Sequence, residues 1–373
     1  MRRKIRKVGL FFLVLIFLCG CSMVREHNPG TEKQRGQTGA ASPESSKESL
    51  AVTFLDVGQG NAVLLAQAGH YALIDGGGRE RSSYLVAYLQ EQGVEKLDYV
   101  IASHYDEDHV AGLVGALNVF RVGTILDPDY EAETKIYRSY VDMVEQNGCR
   151  EEHPQLGAAY TFAGDVEITV VTPKTYDYSE ANDNSIGVRI TKGEDSFLIL
   201  GDASAELEEE MIGRGQADPV SVYLASHHGS KYSSSGELLK RIDPEAVVVS
   251  CGAGNRYGHP AGETLERIRE TKARLYRTDL QGEVAAVTSG TGVCFLQEPC
   301  NDFTSGENFS SVPEETEPVS GEYYVINPGN RKIHRKDCKY GEQIRDKEYF
   351  TGTLEEARAQ GCIPCQICLK KEK

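Results

Sequence analysis

The 373-residue sequence contains no tryptophan, so its aromatic side chains are 19 tyrosines and 11 phenylalanines. It is also poor in positive charge, because 40 Lys and Arg stand against 56 Asp and Glu and give a formal net charge of −16. This balance argues against a protein that coats nucleic acid by bulk electrostatics, although it is compatible with a substrate phosphate held at a metal. The sequence lacks a set of long apolar runs as well, and we therefore do not expect it to form a membrane channel.

The apolar run at the N-terminus predicts a targeting segment. Basic residues in "MRRKIRK" precede "VGLFFLVLIFL", which is short for a membrane span, and the run ends at "LCGC". This ending resembles the lipoprotein box of bacteria and predicts a signal peptide over 1–21 with a lipid on Cys21; an uncleaved signal anchor is the alternative. Residues 22–49 are polar and predict a flexible tether. We expect a protein anchored by lipid to the cell membrane, on its extracytoplasmic face.

From residue 50 to about 297, short apolar strands alternate with helices. "KLDYVIAS" has the apolar content of a buried strand, whereas "RSSYLVAYLQEQGV" has helical spacing and ends at a glycine. The overall composition, 40% hydrophobic and 26% charged, is typical of a globular protein with room for more than one domain. The alternation predicts an α/β fold in layers.

Polar side chains follow several of these strands at their ends. "SHYDEDHVAG", residues 103–112, comes directly after an apolar run, and buried isolated charges there would be very costly unless they share a cation. Three later strands end in the same way, in Gly201-Asp202, His227-His228 and His259-Pro260. Because the ends of these strands can meet along one edge of a sheet, we predict a shared metal site there.

The order of the motifs resembles the metallo-β-lactamase fold family and, within it, the ComEC-type competence proteins. The resemblance covers about 50–297 and rests on "LDVGQGNAVLL", "LIDGGG", "SHYDEDHVAG", "NDNSIGVRI" before "LILGD", "SHHGS", "NRYGHP" and "YRTDLQGEV". It implies a four-layered αββα sandwich and two divalent metal ions that activate water for hydrolysis. For the ComEC-type branch it also implies degradation or processing of DNA during uptake.

The resemblance assigns metal ligands residue by residue. It implies that His104 and Asp106 bind one metal ion, that Asp108 and His109 bind the other, and that Asp202 bridges the two. Asp108 is also predicted to take part in catalysis.

Further roles are implied for residues outside this loop. His259 resembles the last metal histidine of the family. His227 and His228 fall where phosphodiesterases of this fold keep a histidine that assists the leaving group, and the sequence does not choose between them. Asp56 and Asp75 resemble residues that orient the loops without binding metal.

The sequence departs from the family pattern at the first metal site. The family's second histidine is replaced by Asp106, and its third histidine has no counterpart; His153 lies beside a proline in a predicted loop. Asp183 and Asn184 stand nearer the expected place, and we predict Asn184 as an oxygen ligand. An oxygen-rich centre favours manganese or another hard ion over a histidine-rich zinc pair, so both zinc and manganese stay open.

These features predict a metal-dependent phosphodiesterase or nuclease that acts on DNA in competence-type uptake or scavenging, with DNA-uptake machinery as a candidate partner. Lys231 and Arg256 lie near the motifs and are either phosphate contacts or solvated charges. A non-catalytic surface lipoprotein that binds DNA or a partner is one alternative. Hydrolysis of a lactone, a thioester or another small molecule is a second. The oligomeric state is left open.

The C-terminal part has a different character. Residues 298–320 read as a linker, and 321–373 read as a compact module. The module contains two close pairs of soft ligands that suit one structural zinc: His334, Cys338, Cys365 and Cys368. A disulfide that includes Cys362 is the alternative, and no spacing selects pairs among the other cysteines.

This module resembles the zinc-binding DNA-repair domain of Ada. In that family the first ligand is a cysteine that accepts a methyl group, whereas His334 occupies the position here, so zinc binding is expected and methyl transfer is not. The module has eleven Lys and Arg against eight Asp and Glu, unlike the rest of the chain. It is predicted to dock DNA or, alternatively, to act as a structural cap or to bind a protein.

Overall fold

The structure is a computed structural model of the chain, and it describes residues 49–306 and parts of the C-terminal module. The described parts of the module are 324–327, 332–336, 338, 348–350, 352–359, 362–365 and 368–369. The predicted signal peptide with Cys21, nearly all of the tether and most of the linker lie outside the described residues. No helix in the described part combines the length and apolar composition that crossing a bilayer requires.

Two sheets form the centre of residues 49–306. The first sheet contains β1 (Leu50–Phe54), β2 (Val63–Gln67), β3 (His70–Ile74), β4 (Lys96–Ile101), β5 (Arg121–Leu126), β6 (Arg150–Glu152), β14 (Val284–Thr288) and β15 (Val293–Phe295). The second contains β7 (Ala159–Phe162), β8 (Val166–Thr172), β9 (Gly187–Lys192), β10 (Asp195–Ile199), β11 (Val222–Leu224), β12 (Ala246–Val249) and β13 (Arg274–Arg277). Their spatial orders are β15-β14-β1-β2-β3-β4-β5-β6 and β13-β12-β11-β10-β9-β8-β7.

Helices cover the outer face of each sheet. They are α1 (Ser82–Glu91), α2 (Glu107–Val119), α3 (Lys135–Asn147), α4 (Ala205–Gly213), α5 (Gly236–Ile242), α6 (Gly262–Thr271) and the short α7 (Thr278–Gln281). Leu85 and Leu113 pack α1 and α2 on the first sheet, whereas Leu207 and Leu239 pack α4 and α5 on the second. The inner faces of the two sheets share a third apolar cluster. The predicted αββα order is therefore confirmed.

Strand direction fixes where the loops emerge. β3, β4, β5 and β6 pair in parallel in the first sheet, and β10, β11, β12 and β13 do so in the second. Parallel neighbours end on the same side of their sheet, so the loops after them gather at one edge. The predicted ligand motifs follow β4, β10, β11 and β12, and the fold therefore explains their spacing in the sequence.

Helix α2 lies unusually close to two glycine-rich loops. Gly76 N–H donates to the carbonyl of His109 (2.7 Å), and Gly112 N–H donates to the carbonyl of Gly77 (2.9 Å). A Cβ atom at Gly112 would stand 1.8 Å from the Gly76 oxygen, and one at Gly60 would stand 2.2 Å from the Asp108 oxygen. Glycine is thus required at these positions because backbone packs directly on backbone. This contact fixes the distance between the first turn of α2 and the two loops.

The described parts of the C-terminal module contain a small sheet and a helix. The strands are β16 (Tyr324–Asn327), β17 (Lys332–Arg335), β18 (Glu348–Phe350) and β19 (Ile363–Pro364), in the order β18-β16-β17-β19, and the helix is α8 (Leu354–Ala359). Ile333, Leu354 and Ala357 contribute to its apolar cluster. The cluster is small, and so a metal ion would add substantially to the folding free energy.

Candidate metal centre

Three strand ends bring histidines and carboxylates together. His104 follows β4, Asp202 follows β10, and His228 lies in a tight turn, Ser226–Gly229, that follows β11. Asp108 and His109 belong to the first turn of α2. The predicted convergence along one edge is what the structure shows for these five residues.

One group of ligand atoms contains His104, His109 and Asp202. One ligand atom from each of these residues lies within 4.8 Å of the others, and all three residues are buried. The ring centres of His104 and His109 are 4.1 Å apart, and His109 Nε2 is 3.2 Å from Asp202 Oδ1. Two nitrogens and one oxygen at this spacing suit a divalent transition-metal ion.

A second group contains Asp108, His109 and His228, again within 4.8 Å. His228 Nε2 lies 3.3 Å from His109 Nε2 and 3.4 Å from an oxygen of Asp108. The same atom is 3.4 Å from Asp202 Oδ2. Asp202 thus belongs to the first group and also approaches His228 of the second, and its role as a bridging ligand stays a prediction.

Two polar atoms at this point are buried without a hydrogen bond among the described residues. They are His104 Nε2 and Asp202 Oδ1. The carboxylate oxygen nearest to His104 Nε2 belongs to Asp106 and is 3.8 Å away, beyond hydrogen-bonding distance. Buried polar atoms are almost always paired, because leaving one unpaired costs about 1–3 kcal/mol. The residues present therefore fit a bound cation.

Asp75 fixes the orientation of His109. Its Oδ2 accepts from His109 Nδ1 (2.8 Å) and from the Ser103 hydroxyl (2.8 Å), and its Oδ1 accepts from Ser103 N–H (2.8 Å). His228 is held in a similar way, because its Nδ1 lies 3.1 Å from the carbonyl oxygen of Ser250. With Nδ1 engaged as a donor, each ring presents the lone pair of Nε2 to the centre. Asp75 thus lies where a supporting residue is predicted.

We expect Asp75→Asn to weaken metal binding about 10- to 100-fold, because the amide no longer accepts strongly from His109. The backbone of residue 75 has φ +57°, which asparagine tolerates as well as aspartate. The measurement is competition for metal with a chromophoric chelator. Asp98→Asn, which alters a surface carboxylate bound to Lys96, is the matched control and should leave affinity unchanged. Equal affinities for wild type and Asp75→Asn would contradict the orienting role.

The histidines and carboxylates of the centre shift one another's pKa values. Burial and the neighbouring His109 lower the pKa of His104. Burial also acts to lower the pKa of His228, but the carboxylates of Asp202 and Asp108 outweigh it and raise the value to about 9. Burial acts to raise the pKa of Asp202, but His228 and His109 hold it well below its usual range. The carboxylates thus draw positive charge to this point, where a divalent cation would compete with protons.

His227 and His228 differ although they are adjacent. His228 Nε2 points into the centre and 2% of its side chain is exposed, whereas 27% of the His227 side chain is exposed and its Nε2 is 3.6 Å from Asp202 Oδ2. The two backbones have φ +52° and +57°, a left-handed conformation that costs about 1–2 kcal/mol per residue for ordinary side chains. The sequence leaves the roles of the two histidines open, and the structure places His228 among the candidate metal ligands and His227 at the more exposed side.

Three predicted ligands lie outside both groups: Asp106, His259 and Asn184. His259 has its ring centre 6.2 Å from that of His228, and its Nδ1 is 3.4 Å from Gln59 Nε2. The amide of Asn184 accepts from Tyr178 N–H and donates to the carbonyls of Tyr178 and Glu180. That amide is used within its own loop, and a metal-binding role for Asn184 stays a prediction.

The remaining predicted residues have other local contacts or are exposed. Asp106 is more than half exposed. Asp56 accepts from Gly58 N–H (3.1 Å) and shapes the loop after β1. The cations of Lys231 and Arg256 lie against aromatic rings, at 5.2 Å and 4.8 Å from the ring centres. Asp183 Oδ1 accepts from the N–H of residue 204.

A separate group of ligands lies in the C-terminal module. It contains four residues whose ligand atoms lie within 4.8 Å: His334, Cys338, Cys365 and Cys368. His334 Nδ1 is 3.4 Å from Cys338 Sγ. No disulfide joins the cysteines of the described part of the chain. This spacing of one nitrogen and three sulfurs fits tetrahedral zinc.

We expect Cys338→Ser to lower the zinc content by about one equivalent per chain, because three ligands rarely hold structural zinc. Metal analysis of the purified proteins checks this result. Cys294→Ser, at an exposed cysteine far from the group in sequence, is the control. Unchanged zinc content in Cys338→Ser would overturn the assignment.

A family model and several curated relatives match this chain. A family model described as the metallo-beta-lactamase superfamily matches residues 55–253. Competence protein ComA of Neisseria gonorrhoeae is 30% identical over 243 residues, which are 64% of this chain and 33% of that protein. ComE operon protein 3 of Bacillus subtilis (strain 168) is 26% identical over 252 residues, 62% of this chain and 32% of that protein.

This chain thus spans about a third of the length of the curated relatives it matches. Among solved structures, the metallo-beta-lactamase fold protein YhfI from Bacillus subtilis aligns with a TM-score of 0.42 and 14% identity. That alignment covers 61% of this chain and 96% of YhfI.

Proposed function

The chain belongs to the metallo-β-lactamase superfamily, and from this premise we propose that it is a metal-dependent phosphodiesterase that cleaves DNA. The observation that carries the proposal is the convergence of three histidines and two carboxylates, in which Asp202 turns one oxygen to His109 and the other to His228. A carboxylate in this position could hold two cations close together, which is the arrangement of hydrolases that act on phosphodiesters. Divalent cations held by these residues would activate water and neutralise charge on the phosphate.

The protein's own groups have separate tasks in this proposal. His104, His109, His228, Asp108 and Asp202 hold the cations. Asp75 keeps His109 in the required tautomer. His227 is the partly exposed histidine beside Asp202, and it is placed to hydrogen-bond a leaving oxygen on the open side of the centre. His259 stands next to it, with ring centres 5.7 Å apart.

Two observations support DNA as the proposed substrate. The curated relatives include one named competence protein, and the chain aligns with them along most of its hydrolase domain. The C-terminal module adds positive charge to an acidic protein. We propose a role in DNA uptake or scavenging, in which the tail contacts DNA or a component of the uptake machinery.

The test is cleavage of linear single-stranded and double-stranded DNA by the full chain. Metal is stripped with chelator and then restored as manganese or zinc. We expect activity to disappear on stripping and to return with metal. Absence of cleavage with any metal, in a protein that still binds DNA, would favour the non-catalytic binding protein instead. Hydrolysis of a lactone or thioester without DNA cleavage would favour the small-molecule hydrolase.

Lipid anchoring on the extracytoplasmic face is proposed from the "LCGC" box. We expect Cys21→Ser to leave the precursor unprocessed or to release the protein from the membrane fraction. Fractionation and metabolic labelling with a fatty acid measure both effects. Unchanged processing and retention would contradict lipidation at Cys21.

A further inference from the structure

We propose that Tyr257 and Tyr232 form a stacking surface for unpaired bases of the strand whose phosphate enters the metal centre. This inference rests on the proposed function and deepens it, because it assigns the substrate to strands with exposed base faces. We call the pairs Lys231–Tyr232 and Arg256–Tyr257 the tyrosine rim.

The exposure of these two rings is exceptional for the chain. Tyr232 is 67% exposed and Tyr257 is 52% exposed. Among side chains whose exposure the structure describes, no other tyrosine or phenylalanine is as open to solvent. Both exposed rings occur in the loops that carry His228 and His259. Because both open rings lie in the loops that border the site, their placement points to contact with substrate.

Each ring carries a cation from the preceding residue. Lys231 Nζ lies 5.2 Å from the centre of the Tyr232 ring, and the Arg256 guanidinium carbon lies 4.8 Å from that of Tyr257. Arg256 also donates to the Tyr257 hydroxyl (2.6 Å). A flat ring beside a positive charge matches a nucleotide, because the ring stacks on the base while the cation attracts the phosphate.

A row of neighbouring aromatic rings connects the tyrosine rim with the metal centre. The Tyr257 ring stacks on His259 with an interplanar angle of 24° and centres 5.7 Å apart. His259 is 5.7 Å from His227, and His227 Nε2 is 3.6 Å from Asp202. A base on Tyr257 therefore lies beside the position that the adjoining phosphate would take at the metal ions.

The loop that contains Tyr232 is bonded to the end of the Tyr257 loop and to helix α6. Ala261 N–H donates to the carbonyl of Gly229 (2.9 Å), and the Thr264 hydroxyl donates to the carbonyl of Ser230 (2.7 Å). Arg267 donates to the carbonyls of Lys231 and Ser233. The rim is thus preorganised, and binding a base would cost little ordering of the loops.

Duplex DNA cannot use such a surface along its length, because each internal base already stacks on its neighbours. Single strands and frayed ends present free faces, and base–aromatic stacking tolerates any sequence. The rim therefore predicts preference for unpaired DNA without base specificity.

The kinetic test compares Tyr257→Ala, Tyr232→Ala and the corresponding Tyr→Phe variants of the full chain on single-stranded and duplex DNA. We expect each alanine variant to raise KM for single strands about 10-fold, within the range seen for aromatic stacking platforms, with kcat nearly unchanged. Phenylalanine should restore KM, and duplex KM should stay within about twofold. Leu296→Ala, at another exposed apolar side chain, is the control. Equal effects on both substrates, or none, would overturn the inference.

A second readout does not depend on cleavage. An oligothymidylate with 5-iodouracil at single positions is irradiated with the full chain, and the crosslinked peptides are identified by mass spectrometry. Crosslinks at Tyr257 or Tyr232 support the rim even if no metal gives cleavage, in which case the proposed function alone fails. Crosslinks confined to the C-terminal module, or none, would reject the rim while leaving the nuclease proposal intact.

Discussion

Asp202→Ala is expected to lower kcat for DNA cleavage by about 10³-fold or more, because its carboxylate adjoins both ligand groups. Its two oxygens face His109 at 3.2 Å and His228 at 3.4 Å. Alanine would leave two cations without the negative charge between them, and each would bind more weakly. The measurements are cleavage of single-stranded and double-stranded DNA with manganese and then zinc, and the metal content of each protein.

Folding of this variant should be little affected in the presence of chelator. Asp202 follows the C-terminal end of β10 and belongs to none of the apolar clusters. Thermal unfolding of wild type and variant checks this expectation. Asp142→Ala, at an exposed carboxylate of α3, is the control for a lost negative charge. Equal cleavage by Asp202→Ala and wild type would contradict the assignment of the metal centre.

Gly112→Ala is expected to destabilise the hydrolase domain by about 3 kcal/mol or more, at the upper end of overpacking effects. A Cβ there would stand 1.8 Å from the Gly76 oxygen and 2.5 Å from the Gly76 carbonyl carbon. Both are backbone atoms, so α2 itself must move away from the loop that contains Asp75. Because α2 contains Asp108 and His109, metal binding should fall together with stability.

The matched control is Gly213→Ala, which makes the same substitution in α4. A Cβ at Gly213 meets nothing within 4 Å, so this variant should be neutral or stabilised by up to about 1 kcal/mol. Urea unfolding measures both changes, and chelator competition measures the metal. If Gly112→Ala unfolds at the same urea concentration as wild type, the close contact between α2 and the loop is refuted.

The layers and the strand-end motifs could be predicted from the sequence because both depend on local patterns. An apolar run followed at once by His104 or Asp202 marks a strand end, and parallel strands bring such ends to one edge. The choice between His227 and His228 could not be predicted in this way. Their side chains diverge because both backbones have positive φ, and no periodicity in the sequence reveals that conformation.

Loop residues were the weakest part of the prediction. Asn184 stands at the position in the sequence where a ligand is expected, but its amide bonds to Tyr178 and Glu180, and such closure of a loop on itself depends on tertiary structure. Tyr232 and Tyr257 were missed as functional candidates. In the sequence they are visible only as a Lys-Tyr and an Arg-Tyr pair directly beside the two histidine motifs. The pairs indicate a binding surface only once the structure shows that both rings are exposed.

The left-handed pair His227–His228 has a consequence for how this protein would respond to selection. Glycine at 227 adopts that backbone without steric penalty, so His227→Gly removes backbone strain together with the side chain that we propose contacts the leaving oxygen. A screen that rewards heat resistance alone would therefore enrich inactive sequences at this turn. A screen that rewards growth on DNA would keep the histidine and find its stabilising changes elsewhere.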